Sequence, residues 1–319
     1  MEMNSDIVTV TLNPAIDQTV FLECLQIGSV NRTRWSHCQP GGKGVNVSAM
    51  LGAYGIPSIA TGFLGEENPR LFKEFFKSKG IRDEFVWIPG ETRTGIKILD
   101  QSSNETTDIN FPGLAPSILN LQQLRETLLK LIKPGRWFVV AGSLPAGVSL
   151  DFFREILGLI KNGGAKIAAD TSGKALKIAI ESGADLIKPN HHELAEYLGQ
   201  ELPDIASCAA AATRLQRDQV SHVILSLGSQ GALFITPESA WMASAPPVKV
   251  VSTVGAGDSM LAGYLAGLTT GRSAMDCARL ATVFAWCALE DVRRELPSAT
   301  EISKRLPLIE VRLLSEMDF

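Results

Sequence analysis

Long apolar runs and an ordered cysteine pattern are both missing from this sequence. No stretch approaches the roughly 20 apolar residues that a membrane-spanning helix needs. Glu2 and Asp6 precede the first short apolar run, which does not fit an export signal. The five cysteines are scattered and include no C-x-x-C pair, which excludes a disulfide framework and a zinc site of the usual spacing. These absences favour a cytoplasmic protein without a membrane partner.

An excess of positive charge is missing too. The formal net charge is −4, which argues against a general binder of nucleic acid or of membrane surfaces. Any phosphate site must therefore be built locally, and the expected ligand is a small molecule. What the chain does have is length and apolar content, because 319 residues with 45% hydrophobics can bury one large α/β core.

Short β-branched runs alternate with segments of helical period, and no repeat or low-complexity tract interrupts them. This alternation predicts a doubly wound α/β fold, in which a mostly parallel sheet carries helices on both faces. The predicted strands are 7–12, 59–63, 137–141, 166–169, 185–188, 222–227 and, as a hairpin, 231–235. The predicted helices are 44–54, 121–132, 151–161, 277–289 and 301–314.

Two segments lie outside this alternation because strand-like residues mix with polar ones and no long helix intervenes. We assign 15–35 and 92–111 to a small β-sheet lid, and 1–14, 36–91 and 112–319 to the core. Antiparallel strands inserted there would cover the carboxyl ends of the parallel strands, where open α/β sheets bind their ligands. Surface hairpins without a function are the alternative.

A late glycine-rich stretch, Ser252-Thr-Val-Gly-Ala-Gly-Asp258, joins a β-branched run to a small-residue helical pattern. Gly255 and Gly257 allow a tight turn, and the first amides of the following helix can cradle a phosphate. Asp258 would lie in the first turn as a general base for an incoming hydroxyl. An ordinary helix cap explains the same pattern. A third glycine and a Walker A lysine are both lacking here, so neither a dinucleotide fingerprint nor a P-loop is present.

An early stretch, Pro40-Gly-Gly-Lys-Gly-Val-Asn46, repeats the glycine-rich helix start and adds a cation. Lys43 is a candidate phosphate ligand and Asn46 a candidate sugar ligand, although a solvated lysine and a surface asparagine fit equally well. Asp17 follows the first strand, where it could accept hydrogen bonds from two sugar hydroxyls, and turn chemistry is its alternative. Arg93 in the proposed lid has the forked geometry that suits phosphate.

Two further strand ends carry candidate ligands for a nucleotide. Asn190 and Glu193 offer the hard oxygen atoms that suit magnesium, but the same spacing fits a helix capping box. Ser226 and Gly228 end another strand, where a flat pocket or a tight hairpin would each explain the glycine.

Together these motifs resemble the ribokinase-like, or PfkB, family of carbohydrate kinases over nearly the whole chain. The resemblance rests on Thr11-Leu-Asn-Pro-Ala-Ile-Asp17, Gly41-Gly-Lys-Gly-Val-Asn-Val47, Gly142-Ser-Leu-Pro145, Lys188-Pro-Asn190, Ser226-Leu-Gly228 and Ser252-Thr-Val-Gly-Ala-Gly-Asp-Ser259. The Asn-Pro-Ala-x-Asp start, the lysine in Gly-Gly-Lys-Gly and the pair Thr92-Arg93 look most like the branch of 1-phosphofructokinase and tagatose-6-phosphate kinase. The segment 290–296 departs from the family, whose members tend to have a glycine-bearing loop there, and leaves the nucleotide preference open.

The resemblance implies a ribokinase-like fold with a lid that also forms a homodimer contact. It implies ATP and Mg²⁺ as cofactors, and it allows a monovalent cation such as K⁺ near the late glycine motif. The implied roles are a catalytic group of Asp258, Gly255, Ala256 and Gly257; a phosphosugar site of Asp17, Gly41, Gly42, Lys43, Asn46 and Arg93; a nucleotide site of Lys188, Ser226, Gly228 and Thr253; and a magnesium site of Asn190 and Glu193.

The resemblance favours fructose 1-phosphate as the substrate and fructose 1,6-bisphosphate as the product. Tagatose 6-phosphate and fructose 6-phosphate are the alternative substrates. A sugar-phosphate sensor without activity would be expected to lose Asp258 or the glycines beside it, yet all are present. A dinucleotide oxidoreductase would need the complete glycine fingerprint that the sequence lacks.

Overall fold

The computed structural model describes residues 7–103, 105–293 and 295–317. Its strands are β1 (Ile7–Thr11), β2 (Ala15–Leu22), β3 (Trp35–Gly41), β4 (Ser58–Gly65), β5 (Ile81–Asp83), β6 (Val86–Ile88), β7 (Thr94–Asp100), β8 (Glu105–Asn110), β9 (Trp137–Ala141), β10 (Lys166–Asp170), β11 (Leu186–Ile187), β12 (His222–Ser226), β13 (Ala232–Ile235), β14 (Ala240–Ser244) and β15 (Glu310–Leu313). Its helices are α1 (Lys43–Ala53), α2 (Arg70–Lys79), α3 (Ile118–Leu131), α4 (Leu150–Asn162), α5 (Gly173–Glu181), α6 (His191–Leu198), α7 (Ile205–Asp218), α8 (Ala256–Thr269), α9 (Ala274–Glu290) and α10 (Ala299–Arg305).

The large sheet has the order β15-β14-β13-β12-β11-β10-β9-β1-β4-β5, and β6 also pairs with β4. Its pairs from β12 through β1 to β5 are parallel, whereas β13, β14 and β15 are added in antiparallel fashion. Successive chain segments therefore extend the sheet from β1 in both directions. The carboxyl ends of the parallel strands meet at one edge, beside β1, where the winding direction changes.

Successive residues of each strand point to opposite faces of this sheet and pack into two separate hydrophobic cores. Val8 and Val140 pack with the apolar sides of α3, α4, α5 and α7, whereas Ile7 and Val139 pack toward α1, α8 and α9. This arrangement follows from the near-continuous apolar strands, which are buried on both faces as parallel strands require. The predicted doubly wound α/β fold, with a small separate sheet, is confirmed.

The small sheet has the order β3-β2-β7-β8. It includes the two segments predicted to lie outside the core, but it differs from the prediction in two respects. The strand Trp35–Gly41 belongs to it, although 36–91 was assigned to the core, because this strand pairs with β2 from Phe21 to Ala15. The β2 and β7 strands are parallel rather than antiparallel, since about 70 residues of chain separate them and no hairpin connects them.

The predicted helix over 301–314 is wrong beyond its first turns. The α10 helix ends at Arg305, a short 3₁₀ turn covers Leu306–Leu308, and β15 follows as an edge strand paired with β14. Pro307 cannot donate a backbone hydrogen bond and interrupts the helix. From Glu310 to Leu313 exposed and half-buried residues alternate with the period of a strand.

No helix within the described ranges is both long and apolar enough to span a bilayer.

Candidate active site

The candidate site lies where the parallel strands end. Thr11, Ala141 and Asp170 are the last residues of β1, β9 and β10, and neighbouring strands pair in parallel register up to these ends. Lys188 and Ser226 continue the row at the ends of β11 and β12. This edge of an open α/β sheet is the usual place for a ligand.

The late glycine motif forms the start of α8. Gly255 has a left-handed backbone, with φ of 80°, and precedes the first helical residue, Ala256. Asp258 therefore lies in the first turn, as predicted from the sequence, and its side chain is buried at 7% exposure. The first amides of α8 carry the positive end of the helix dipole beside this carboxyl group. The Asp258 carboxyl group and the first amides of α8 are thus adjacent.

The early glycine motif forms the start of α1. Gly42 precedes the helix with φ of 112°, a region that favours glycine. At Gly41, a Cβ atom would come within 2.5 Å of the Asp17 carboxyl carbon, so only glycine leaves that carboxylate its place. Asn46 lies one turn into α1, and its Nδ2 donates a 2.6 Å hydrogen bond to Asp258 Oδ2. The two glycine-rich helix starts therefore meet directly, although they are far apart in the sequence.

The sequence analysis missed Asp170, which is 1% exposed and central to the site. Its Oδ1 accepts a 2.7 Å hydrogen bond from Lys43 Nζ, and its Oδ2 lies 3.2 Å from Lys188 Nζ. The available signal was a carboxylate directly after the apolar residues 167–169. We predicted the end of that strand at 169, one residue too early.

Burial and neighbouring charges perturb the pKa of both Asp258 and Asp170. Burial raises the pKa of Asp258 above its ordinary value, and the charge of Asp170 raises it further, against the opposing effect of Lys43. Burial would also raise the pKa of Asp170, but Lys188 and Lys43 outweigh that effect and lower it. Asp170 is thus held as a carboxylate, while Asp258 is the carboxyl group whose proton affinity is increased.

Lys43 shows the complementary effect. Burial alone would lower the pKa of its ammonium group, but Asp170 and, more weakly, Asp258 outweigh burial and raise it. Lys43 is therefore a fixed cation at this site throughout the physiological pH range.

The candidate magnesium ligands form the capping box that the sequence also predicts. Asn190 Oδ1 accepts from the Glu193 amide and Glu193 Oε2 accepts from the Asn190 amide, each at 2.9 Å. Asn190 also forms an isolated parallel bridge with Ser226, so these two predicted ligands are neighbours. Gly228 opens the turn after β12 with φ of 61°, whereas Thr253 is exposed before α8. The cap uses the single side-chain oxygen of Asn190 and one of the two carboxylate oxygens of Glu193, so Oε1 of Glu193 is the hard oxygen atom outside the cap.

Arg93 lies on the other side of the site. Its Nη1 donates to Asn110 Oδ1 and to the Phe111 carbonyl, both at 3.3 Å, and its Nε has no hydrogen-bond partner among the described residues. Burial lowers the pKa of Arg93, and the nearby charge of Asp17 acts in the opposite direction. A cavity of about 440 Å³ opens beside Arg93, and Ser143 of the Gly142-Ser-Leu-Pro145 motif lines it.

The structure thus brings together most, but not all, of the predicted groups. Asn46 meets Asp258, and Lys188 Nζ would lie 3.0 Å from a Cβ atom at Gly257. The sequence predicts that Lys43 and Arg93 share one phosphate, yet Lys43 contacts Asp170, whereas Arg93 contacts Asn110, Phe111 and Asn13.

Comparison with known proteins agrees with this geometry. The model of the pfkB family of carbohydrate kinases matches residues 10–298. A 1-phosphofructokinase from Rhodobacter capsulatus is 39% identical over 98% of this chain and 99% of its own length. A 1-phosphofructokinase from Xanthomonas campestris pv. campestris is 40% identical over 92% of this chain and 95% of its own.

Solved structures of phosphofructokinase-2 from Escherichia coli have the same fold. Its complex with substrates and products has a TM-score of 0.89 at 29% identity, covering 94% of this chain and 98% of the other. Its complex with potassium has a TM-score of 0.86 at 28% identity with the same coverage. The family resemblance read from the motifs is confirmed, and the chain belongs to the pfkB family of carbohydrate kinases.

Proposed function

We propose that this protein transfers the γ-phosphoryl group of ATP to fructose 1-phosphate and forms fructose 1,6-bisphosphate. The observation that carries the proposal is the contact between Asn46 and Asp258, because it joins an acceptor-side helix to the start of a helix that can bind an anion. The near full-length similarity to proteins named 1-phosphofructokinase supports this substrate over tagatose 6-phosphate and fructose 6-phosphate.

Asp258 is the proposed general base. Its Oδ atoms take the proton of the acceptor hydroxyl as that oxygen forms a bond to the γ-phosphorus, and the bond from phosphorus to the bridging oxygen of ADP breaks. The raised pKa of Asp258 supports this role, since a base that holds its proton more tightly is a stronger acceptor. The amides of Gly255, Ala256 and Gly257 would stabilise the charge on the transferring group.

The acceptor sugar would lie between the two sheets. Asp17 is 7% exposed in β2, and Gly41 gives its carboxylate the space to accept hydrogen bonds from sugar hydroxyls. Gly42 and Asn46 line the same side through the start of α1.

We propose that Arg93 binds the phosphate already present on the acceptor. Its guanidinium borders the cavity of about 440 Å³, and Asn13 donates to Ser143 Oγ at 3.0 Å in the same wall. The sequence predicts Lys43 at this phosphate as well. Because the Lys43 ammonium contacts Asp170 instead, we propose that it faces the reaction centre.

The donor nucleotide would lie along the ends of β11 and β12. Lys188, Ser226, Gly228 and Thr253 are the proposed contacts, and the bridge between Asn190 and Ser226 supports their proximity. Asn190 and Glu193 would hold Mg²⁺, which neutralises charge on the nucleotide phosphates when bound. Among the described residues, no group of three or more His, Cys, Asp and Glu side chains could hold a metal ion, which suits an ion carried largely by nucleotide phosphates.

The monovalent cation near the late glycine motif also stays a proposal. The potassium complex of the E. coli phosphofructokinase-2 supports it. Activity in potassium and in tetramethylammonium salts at equal ionic strength tests it.

We further propose a cytoplasmic homodimer that forms through the small sheet. Large apolar side chains are exposed on this sheet and its loops, namely Ile27, Val30, Trp35, Ile109 and Phe111. Exposed apolar side chains on one small sheet favour a protein contact surface. The five free cysteines support a reducing compartment.

The test is a panel of acceptors with purified protein and ATP–Mg²⁺. Fructose 1-phosphate, fructose 6-phosphate, tagatose 6-phosphate and unphosphorylated fructose are compared by kcat/KM. The proposal expects the highest value for fructose 1-phosphate. A preference for unphosphorylated fructose would remove the role given to Arg93, and an absence of turnover with every sugar would favour a sensor.

A further inference from the structure

Asp170 binds two ammonium groups that come from different elements. Lys43 from the start of α1 lies at 2.7 Å from Oδ1, and Lys188 from the end of β11 lies at 3.2 Å from Oδ2. The carboxylate is 1% exposed, and Lys188 is 6% exposed. A buried carboxylate that is shared by two cations fixes the position of both.

One of the two cations, Lys188, lies at the start of α8. Lys188 Nζ is so close to Gly257 that a Cβ atom there would lie 3.0 Å from it. Burial lowers the pKa of Lys43, and the charges of Asp170 and then Asp258 raise it. Lys188 therefore lies beside the amides that the proposed reaction uses for the phosphoryl group, and Asp170 holds Lys43 next to Lys188.

We propose that Asp170 is a positioning residue that holds Lys43 and Lys188 where both meet the phosphoryl group in transfer. The inference rests on the proposed kinase function and adds to it a residue whose carboxylate does not itself touch substrate. It also places Lys43 with the donor rather than with the phosphate of the acceptor.

The physical reason is that two ammonium groups held close together, one of them buried, repel each other unless an anion separates them. Without Asp170, the lysines would turn toward the remaining carboxylates, of which Asp258 is the one they already influence. Their contacts with the transferring phosphoryl group would be lost, and the Asp258 carboxylate would be held in an ion pair. Misplacement of this kind lowers the rate of the chemical step, whereas the acceptor contacts of Asp17 and Arg93 stay intact.

Asp170→Asn tests the proposal because it removes the charge and keeps the shape. We expect kcat to fall on the order of 100-fold, the loss typical of a misplaced group, while KM for fructose 1-phosphate changes by less than about twofold. The matched control is Asp185→Asn. Asp185 also pairs with a lysine, since Lys161 Nζ lies 2.8 Å from its Oδ2, but at the amino end of β11. Its variant should keep the wild-type kcat.

A double-mutant cycle with Lys43→Met separates positioning from general damage to the fold. If Asp170 acts through the lysines, Asp170→Asn should cost less than about tenfold in kcat in the Lys43→Met background. Equal losses in both backgrounds, with an unchanged melting temperature, would overturn the proposal. So would an Asp170→Asn enzyme that keeps kcat and loses only affinity for fructose 1-phosphate.

A binding measurement distinguishes failure of this inference from failure of the proposed function. Calorimetry without acceptor compares the magnesium complex of a non-hydrolysable ATP analogue with that of ADP. We expect Asp170→Asn to reduce the preference for the triphosphate by about fivefold or more, since both lysines serve its terminal group. An unchanged or increased preference would refute the positioning role, whichever sugar the wild-type enzyme phosphorylates.

Discussion

Replacing Asp258 with asparagine should abolish most activity without harming the fold. The amide is nearly the shape of the carboxylate, and its oxygen can accept the hydrogen bond that Asn46 Nδ2 now donates to Oδ2 at 2.6 Å. What disappears is the proposed proton acceptor. Loss of a general base costs about 10²- to 10⁴-fold in rate, which corresponds to about 3 to 5 kcal/mol in the activation barrier.

The same change should leave stability equal or higher at neutral pH. Burial, and then the charge of Asp170, raise the pKa of Asp258 in the folded protein. A carboxyl group with a raised folded-state pKa binds its proton more tightly in the folded than in the unfolded state, so its ionisation destabilises the fold as pH rises from the unfolded value to the folded one. Asparagine has no such ionisation. Its advantage in melting temperature should therefore vanish as pH falls below about 4, the ordinary value for aspartate.

The assay couples production of ADP to a spectroscopic signal with fructose 1-phosphate as acceptor, and calorimetry gives the melting temperature across pH. In the wild type, kcat/KM should fall as pH drops through the raised pKa of Asp258. Asp204→Asn is the control, because Asp204 caps α7 by accepting from the Ser207 amide and asparagine caps equally well. A variant at position 258 that keeps wild-type kcat, or that melts well below wild type at neutral pH, would refute the reasoning.

Four other substitutions probe the remaining roles. Arg93→Met should raise KM for fructose 1-phosphate by about 10- to 100-fold, the usual value of a charged hydrogen bond, and an equal rise in KM for ATP would contradict its assignment to the acceptor. Lys43→Met should instead raise KM for ATP more than KM for fructose 1-phosphate, and the reverse ratio would restore the assignment predicted from the sequence. Glu193→Gln should increase the Mg²⁺ concentration needed for half-maximal rate, measured at saturating ATP, because glutamine keeps the cap but not the charge. Trp35→Asp should shift the proposed homodimer to monomer in sedimentation velocity, and an unchanged oligomeric state would contradict an interface through the small sheet.

The sequence predicted the parallel core well because each strand is a local feature. Apolar runs such as Trp137–Ala141 are buried on both faces and carry their own signal. The two glycine motifs were predicted to start helices, and they do so at Gly42 and Gly255, because glycine marks such turns in the sequence itself. The sequence did not predict which strands pair in the small sheet. The parallel contact of β2 with β7 depends on a chain reversal through the core, which no local pattern encodes.

Asp170 shows the same limit at the active site. A carboxylate at a strand end has many explanations, and only the fold brings Lys43 and Lys188 to its two oxygens. The proposed role of Asp170 depends on Lys43 and Lys188, which are 127 residues before it and 18 residues after it in the chain.

The segment 290–296 departs from the family in its side chains, yet the described part of it keeps a structural connection through backbone atoms. Gln39 of β3 donates to the Val292 carbonyl at 2.9 Å, and the Val251 amide donates to the Leu289 carbonyl at 2.8 Å. The last turn of α9 therefore contacts Val251, which precedes the late glycine motif, and the residues after α9 contact the small sheet. Since any residue supplies a backbone carbonyl, this connection does not depend on which side chains follow Leu289. Divergence in the side chains of 290–296 is thus compatible with these backbone contacts. The nucleotide preference depends instead on the side chains that contact the nucleotide base.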